Sequence, residues 1–329
     1  MPQDQTTKQT LLALLQQGGG AGVSGQALAR QLGVSRAAVH KAAAALARQG
    51  YQIQAVPGRG YQLTGCADVL SREALCAALP GWRAPIQVYA TVGSTNQTAK
   101  QLALAGAPHG SLVVAGGQTE GRGRLGRSFV SPPGKGVYLS MVLRPGGQAA
   151  DSLAVTGAAA VAVCRAVERL CGLRLGIKWV NDLFWQGKKV CGILTEASAD
   201  LESGQVDYLA VGIGLNLTST SADLGPDLAI TAGSLYPGGP APCTRAQLAA
   251  AIAAELVALG PGRGYLPEYR ARSLVLGHWL TVHGPQGSFA AKALRIDNEG
   301  RLVVQLPGGG VQALRAGEVS VRPAPLLAK

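Results

Sequence analysis

Apolar positions change their spacing several times along the chain. In residues 7–17 (TKQTLLALLQQ) they gather on one face, the pattern of an amphipathic helix, and the stretch from Gly18 to Gly22 ends it. Ser24 stands at an N-cap position before GQALARQL, which Gly33 stops. Ser35 caps a third helix, RAAVHKAAAALARQ, with Gly50 at its C′ position. In that helix Val39, Ala43 and Leu46 recur at i, i+4 and i+7 and face inward. Two short helices joined by LGVS predict a helix-turn-helix. The following YQIQAVPGRGYQL has strand character on either side of Pro57-Gly58-Arg59-Gly60, a hairpin turn or wing.

From about residue 66 to 270 the period alternates between strand and helix. IQVYATVG, SLVVAGG, GVYLSMVLRP, GIKWV, KVCGILTEAS and VDYLAVGIGLNL read as strands. The runs from Asn96 to Leu104 and from Ser152 to Leu170, and RAQLAAAIAAELVAL, read as helices. This is an α/β or α+β sheet domain with one core. Beyond about residue 275 short strands alternate with turns such as Asp297-Asn298-Glu299-Gly300 and Pro307-Gly308, the pattern of a small β-barrel.

Length and composition narrow the class. The chain has 329 residues, so two or three domains are expected. Charged residues are 15% and hydrophobic ones 47%, which excludes a disordered polyelectrolyte. The formal charge of +12 favours nucleic acid or a phosphate-bearing ligand. Residues 1–65 hold six basic residues against one acidic. The first residues lack the layout of a signal peptide, and the Ala- and Val-rich run from Leu153 to Cys164 is too short to span a bilayer. The six cysteines include no CxxC pair, and the four histidines form no HExxH. A zinc site or disulfide framework is not expected, and a reduced cytoplasmic protein fits. Cys164 and Cys171, two helical turns apart, read as core residues.

Several clusters carry chemistry. On the third helix Arg36, His40 and Lys41 point outward, where with Ser24, Ser35 and Arg59 of the wing they could meet phosphates or base edges. A protein-interaction module with a solvated basic face would look similar. GRGRLG (121–126) matches GxGxxG, but Pro132 and Pro133 follow and no helix can open there. With Arg122, Arg124 and Arg127 interleaving the glycines, the segment reads as a loop that orders over a phosphate-containing ligand, or as a solvated basic loop. Ser94, Thr95 and Asn96 sit where a strand gives way to a helix, as ligand groups or as plain capping residues. Lys178-Trp-Val-Asn181-Asp182 offers an amine, an amide and a carboxylate suited to phosphate and Mg²⁺, with Asp182 the metal candidate; a surface ion pair has the same residues. Lys188 and Lys189 open the next strand, and Gly212, Gly214 and Asn216 place glycines and an amide suited to an adenine edge along another.

GSTN, then QTEGRGRLGRSFVSPPGKGVYLS, KWVND, KKVCGIL and GIGLNL, in this order, resemble the biotin–protein ligase family. The helix-turn-helix with VPGRGYQL makes the chain similar to its bifunctional subclass, the BirA-type ligase and biotin operon repressor. The resemblance implies a winged helix-turn-helix over 1–65, a central mixed-sheet α/β ligase domain similar to class II synthetases over 66–273, and an SH3-like C-terminal β-barrel over 274–329. It also implies the reaction. Biotin and ATP give biotinyl-5′-AMP and pyrophosphate, and a lysine of a biotin carboxyl carrier protein then takes the biotin and releases AMP. A carboxylate is already an anion, so the first step needs charge neutralisation rather than a general base.

The resemblance assigns Ser94, Thr95, Asn96 and Gln118 to biotin, with Arg122, Gly123 and Arg124 folding over it. Lys189 bridges the carboxylate and the α-phosphate, and Lys178 meets ATP phosphates. Arg124, Arg127, Phe129, Asn181, Asp182 and Asn216 join the ATP site, and Gly192, Gly212 and Gly214 leave room along the strands. Lys189, Arg122, Arg124 and Lys178 are the catalytic group. Arg315 and Glu318 are candidates for contact with ATP or the carrier, set against a purely structural end domain. The chain departs from the family pattern at Glu120, Leu125, Phe129 (often Trp) and Val180 (often Pro). The implied partners are the carrier protein and operator DNA, with a homodimer favoured by biotinyl-5′-AMP and no membrane. A lipoate–protein ligase, or a DNA-binding ligand sensor without ligase activity, are the competing readings.

Overall fold

In the computed structural model, residues 2–18, 22–48, 51–56, 59–65, 68–144, 152–199, 206–260, 262–284, 287–315 and 320–323 are described. The chain begins with α1 (Pro2–Gln17), α2 (Gly25–Leu32) and α3 (Arg36–Arg48), then β1 (Gln52–Val56) and β2 (Gly60–Gly65). Leu11, Leu12, Leu28, Val39 and Leu46 are fully buried and form the small core that the periodicity predicts. Ser24 Oγ accepts the Gln26 amide at 3.3 Å, Ser35 Oγ accepts that of Ala38 at 3.2 Å, and Gly33 closes α2 in the left-handed conformation. The wing strands pair antiparallel, with Val56 opposite Gly60. Gly60 has φ +87°, and a Cβ there would stand 2.1 Å from the Val23 carbonyl oxygen. Gly50, Pro57 and Gly58 lie outside the described residues.

The central part runs α4 (Arg72–Ala78), β3 (Ile86–Tyr89), α5 (Thr95–Leu104), β4 (Ser111–Ala115), β5 (Gly136–Leu143), α6 (Ser152–Cys171), β6 (Gly176–Lys178), β7 (Asp182–Trp185), β8 (Lys188–Ala199) and β9 (Val206–Asn216). It continues with α7 (Ser221–Leu224), α8 (Pro226–Thr231), α9 (Arg245–Leu259) and α10 (Leu266–Ala271). Seven strands form one sheet in the order β3-β4-β5-β9-β8-β7-β6, parallel between β3 and β4 and antiparallel elsewhere. Side chains alternate between its faces. Leu112, Val114, Leu139, Met141, Leu209 and Val211 join the main core, to which α6 and α9 also contribute. Val113, Val142, Tyr208 and Ala210 pack with Ala99 and Ala103 of α5. The Ala- and Val-rich run is a buried helix because small side chains let it approach its neighbours: a Cβ on Gly157 would lie 2.4 Å from the Tyr265 ring. Among the described residues no helix is long and apolar enough to cross a membrane. Cys164 is fully buried, as expected, but Cys171 is half-exposed at the end of α6 and meets Cys243.

The C-terminal strands β10 (Trp279–Gly284), β11 (Gly287–Ile296), β12 (Leu302–Gln305), β13 (Val311–Leu314) and β14 (Ser320–Pro323) correct the barrel expectation. They form an open antiparallel sheet in the order β13-β12-β11-β10-β14. A barrel requires its end strands to pair, and β13 and β14 sit at opposite edges. Both are four residues long, and three of the four in β13 are exposed. One face buries Leu280, Val282, Ala291, Ala293, Leu302 and Val304. The β11–β12 turn docks on the central part: Trp179 Nε1 donates to Gly300 O at 3.0 Å and Arg270 donates to Ile296 O and Asp297 O. Arg315 is exposed and does not line the cleft described below; Glu318 lies outside the described residues.

The N-terminal module is seated on the central body. Helix α1 packs on α4, and α4 on α9. Lys8 pairs with Glu73 at 3.7 Å, and the Tyr51 and Ser71 hydroxyls lie 3.3 Å apart. Asp68, just beyond the wing, receives the Arg245 backbone amide at 2.7 Å and its Nε at 2.6 Å.

Candidate active site

A cleft of roughly 890 Å³ opens over β9, β8 and the β6–β7 turn. Every residue that the sequence assigns to biotin or ATP between Ser94 and Asn216 lines it. Its floor is low because glycines face one another: Gly192 of β8 is in register with Gly214 of β9. A Cβ at Gly212 would lie 2.6 Å from Asn96 Oδ1, and one at Gly214 would lie 2.5 Å from the Phe129 ring. The ring therefore rests on the strand at Gly214, with Gly192 beside it.

At one wall α5 begins. Ser94 is its N-cap residue yet makes no side-chain cap bond, which removes the plain capping role for its hydroxyl. Thr95 donates its amide and hydroxyl to Gln118 Oε1, at 2.8 and 3.1 Å. Gln118 Nε2 donates to Ser131 Oγ at 2.8 Å, and Ser131 Oγ donates to the Phe129 carbonyl at 3.1 Å. Ser140 Oγ lies 2.9 Å from both Thr95 Oγ1 and Asn96 Oδ1. Asn96 Nδ2 donates to Glu196 at 2.7 Å, and Lys100 pairs with Glu196 at 2.9 Å. Thr95, Asn96 and Gln118 thus hold each other and the base of the arginine segment in place. Ser131, in a loop, Ser140, in β5, and Glu196, in β8, complete this network. Ser131 and Ser140 fall within the motif segment 118–140, but the sequence assigns none of the three a role.

The arginine segment is a small hairpin. Gly123 N donates to Arg127 O at 2.7 Å and Phe129 N to Gly121 O at 2.8 Å. A short 3₁₀ turn, residues 124–126, forms its tip, where Leu125 has φ +56° and is 74% exposed. Arg122 and Arg127 are exposed, whereas Arg124 turns inward and donates to Asn181 Oδ1 at 3.2 Å. Burial pulls the Arg124 pKa below its usual range, and the Asp182 carboxylate opposes that shift. Asn181 Nδ2 donates to Ile193 O at 2.9 Å, so both ends of this amide are engaged by protein and it steadies Arg124.

Strand pairing gathers the remaining charges. Lys178 is opposite Asp182, and Asp182 opposite Gly192. Lys189 Nζ stands 2.6 Å from Asp182 Oδ1, and Lys178 Nζ lies 5.8 Å from the centre of the Phe184 ring. The Trp179–Val180 peptide in this turn is cis. Asn216 is buried and donates to Gly233 O at 3.0 Å; among the described residues its Oδ1 has no hydrogen-bond partner. Leu228, Ile230 and Leu274 add an apolar rim. Sequence reasoning missed them, because an exposed apolar residue outside a motif carries no local sign of a site.

On the N-terminal module Arg36, His40, Lys41 and Arg59 are all exposed. His40 Nδ1 lies 3.1 Å from the Tyr61 hydroxyl, which ties α3 to the wing. The Ser24 and Ser35 hydroxyls serve as helix caps.

Known proteins resemble both parts. Residues 88–216 match the biotin/lipoate A/B protein ligase family, and residues 7–62 match an HTH domain. The bifunctional ligase/repressor BirA of Bacillus subtilis is 34% identical over 316 residues, spanning 92% of this chain and 95% of the relative. The Escherichia coli protein of the same description is 31% identical and spans 65% of this chain. Among solved structures, the Aquifex aeolicus biotin protein ligase in complex with biotin and ATP superimposes with a TM-score of 0.62 at 25% identity, covering 73% of this chain and 99% of its own. Most of the cleft's lining lies in the matched ligase segment and the winged helices in the other, and with the full-length relationship this makes the chain a member of the BirA-type family of bifunctional biotin–protein ligases and repressors.

Proposed function

We propose that the chain is an ATP-dependent biotin–protein ligase that also acts as a biotin-responsive transcriptional repressor. The observation that carries this reading is the convergence of Lys178, Lys189 and Arg124 on one cleft whose floor is opened by glycines. Two anions must meet there, so cations rather than a nucleophilic triad are the required chemistry. Lys189, its ammonium fixed by Asp182, would draw the biotin carboxylate to the α-phosphate. Arg124, aimed by Asn181, would neutralise charge on the phosphoryl oxygens as the α–β bond breaks and pyrophosphate leaves. Lys178 would meet the departing phosphates. Ser94, Thr95 and Gln118 would flank the biotin bicycle, and Arg122 with Gly123 would cover the adenylate and keep water from the mixed anhydride. Asn216 Oδ1, the acceptor without a partner, suits the adenine amine. A carrier-domain lysine would then attack the acyl carbon and release AMP.

Mg²⁺ would enter with ATP. Asp182 is the one carboxylate among the described residues of the cleft, and it is paired with Lys189. Among the described residues no cluster of three or more metal-ligating side chains exists, so the donor set suits an ion carried on phosphates better than a protein cage. We divide the chain near residues 65 and 273, place it in the cytoplasm, and take its partners to be a biotin carboxyl carrier protein and operator DNA. The DNA contacts would come from Arg36, His40, Lys41 and Arg59, in a homodimer favoured by biotinyl-5′-AMP.

Biotin-dependent exchange of labelled pyrophosphate into ATP tests the first step. The Lys189→Ala protein is expected to lose it. Exchange at the parent rate would remove Lys189 from the chemistry.

A further inference from the structure

Two of the six cysteines meet at a joint between elements. Cys171 is the last residue of α6, and Cys243 directly precedes Thr244, the N-cap of α9. They are 72 positions apart in the chain, yet their sulfurs lie 3.7 Å from each other. Both are half-exposed, whereas Cys164 and Cys191 are buried. Tyr236 donates its hydroxyl to the Cys171 carbonyl at 3.2 Å, which holds the segment leading to Cys243 against the end of α6.

We propose that Cys171 and Cys243 form a redox-sensitive dithiol that a hydroperoxide converts reversibly to an intramolecular disulfide. The two sulfurs need to approach by less than 2 Å to reach the bonded distance of about 2 Å. The residues flanking them, Gly172 just past α6 and Pro242, are both exposed rather than packed in the core.

The roles of the two sulfurs differ. The hydrogen bond from Cys243 draws the Cys171 pKa down to about 7, and the same bond pushes the Cys243 thiol up. Burial pushes the Cys164 thiol up to about 12 and the Cys191 thiol further still, which leaves both inert near neutrality. The Cys171 thiolate therefore attacks one peroxide oxygen. The O–O bond breaks, hydroxide or alkoxide leaves and takes a proton, and Cys171 becomes a sulfenic acid. The Cys243 sulfur then attacks the Cys171 sulfur, its proton goes to the departing hydroxyl, and water leaves as the S–S bond forms. A thiol reductant reverses the sequence by exchange.

The bond would fasten the end of α6 to the start of α9. Arg245, the first residue of α9, grips Asp68 in the stretch between the wing and α4. The dithiol therefore sits beside the joint that couples the DNA-binding module to the catalytic body.

The full-length protein, reduced and then exposed to hydrogen peroxide at neutral pH, is expected to lose two of its six free thiols, and peptide mapping is expected to link Cys171 to Cys243. Added thiol reductant restores all six. In the Cys243→Ser variant the hydroxyl can still donate to Cys171 but cannot form a disulfide, so the sulfenic acid has no resolving partner, and a sulfenic-acid trapping reagent is expected to label Cys171. Retention of six thiols, a bridge between other cysteines or between molecules, or trapping at a cysteine other than Cys171 would each overturn the proposal.

Discussion

At Gly214 a side chain and the ring of Phe129 compete for the same space. Gly214→Ala would put a methyl group 2.5 Å from that ring and force it off the strand. Overpacking of this kind costs about 1–3 kcal/mol, to be read from the denaturant midpoint, and Phe129→Leu in the same chain should recover part of it. Asn181 acts through Arg124. A hydrogen bond to a charged group is worth about 1.5–3 kcal/mol, so Asn181→Ala should lower kcat/KM for pyrophosphate exchange by roughly 10- to 100-fold, with Asn181→Asp testing whether the acceptor alone suffices. Cys171 gives a pH signature. A lowered thiol pKa means that thiolate accumulates above it, so alkylation of Cys171 by iodoacetamide should rise through about pH 7 and be lost as pH falls below that point. In Cys243→Ala the rise should move to higher pH, because the hydrogen bond that stabilises the thiolate is gone. Residues of this kind were unequally legible. Lys178, Lys189, Arg124 and Asn216 stand out because a charge or amide at a strand end or beside a glycine is chemically conspicuous. Ser140 and Glu196 fall in segments the sequence marks but carry no role there, because a polar residue in a strand says nothing of what lies across the sheet. Cys171 was misread as core because helical spacing shows which face a residue occupies, not what stands opposite that face 72 positions on.

Elements with strong local signals formed where the pattern placed them. Helices α1 to α3, α5, α6 and α9, and the long strands β5, β8 and β9, follow from apolar period and caps. The short β7 went unseen because four residues carry too little period, although it is this strand that sets Asp182 between Lys178 and Lys189. Closure of the C-terminal sheet was misjudged for a different reason. Strand existence is local, but partners are not: β10 pairs with β14, matching Leu280 to Pro323, and nothing in either segment announces that the remaining edge at β13 stays open. The start of α9 offers an element-scale test. Asp68→Ala leaves the Arg245 guanidinium, 11% exposed, without its carboxylate, while Asp68 itself is 41% exposed and partly screened. A loss of about 1–3 kcal/mol in unfolding free energy is expected, smaller for Asp68→Asn, which keeps an acceptor for the α9 amide.

The whole molecule joins a basic helical module to a catalytic body, and its affinity for DNA should carry the mark of that charge. Operator binding is expected to weaken steeply with salt, and Arg36→Ala should reduce the log–log salt slope by about 1 if the side chain meets a phosphate. A gel-shift series with biotin and ATP present and absent measures both this slope and the ligand response. The helix-turn-helix and the sheet that follows it were legible from the change of period, but the manner of attachment was not, since Lys8 with Glu73 and Asp68 with Arg245 are unremarkable residues until folding brings them together. That attachment has a geometric result. With α1 seated on α4 and α4 on α9, the recognition helix is not a bead on a string. For two copies on one stretch of duplex, the span between half-sites becomes a ruler laid across the catalytic bodies, and inserting residues into the wing would leave its reading unaltered.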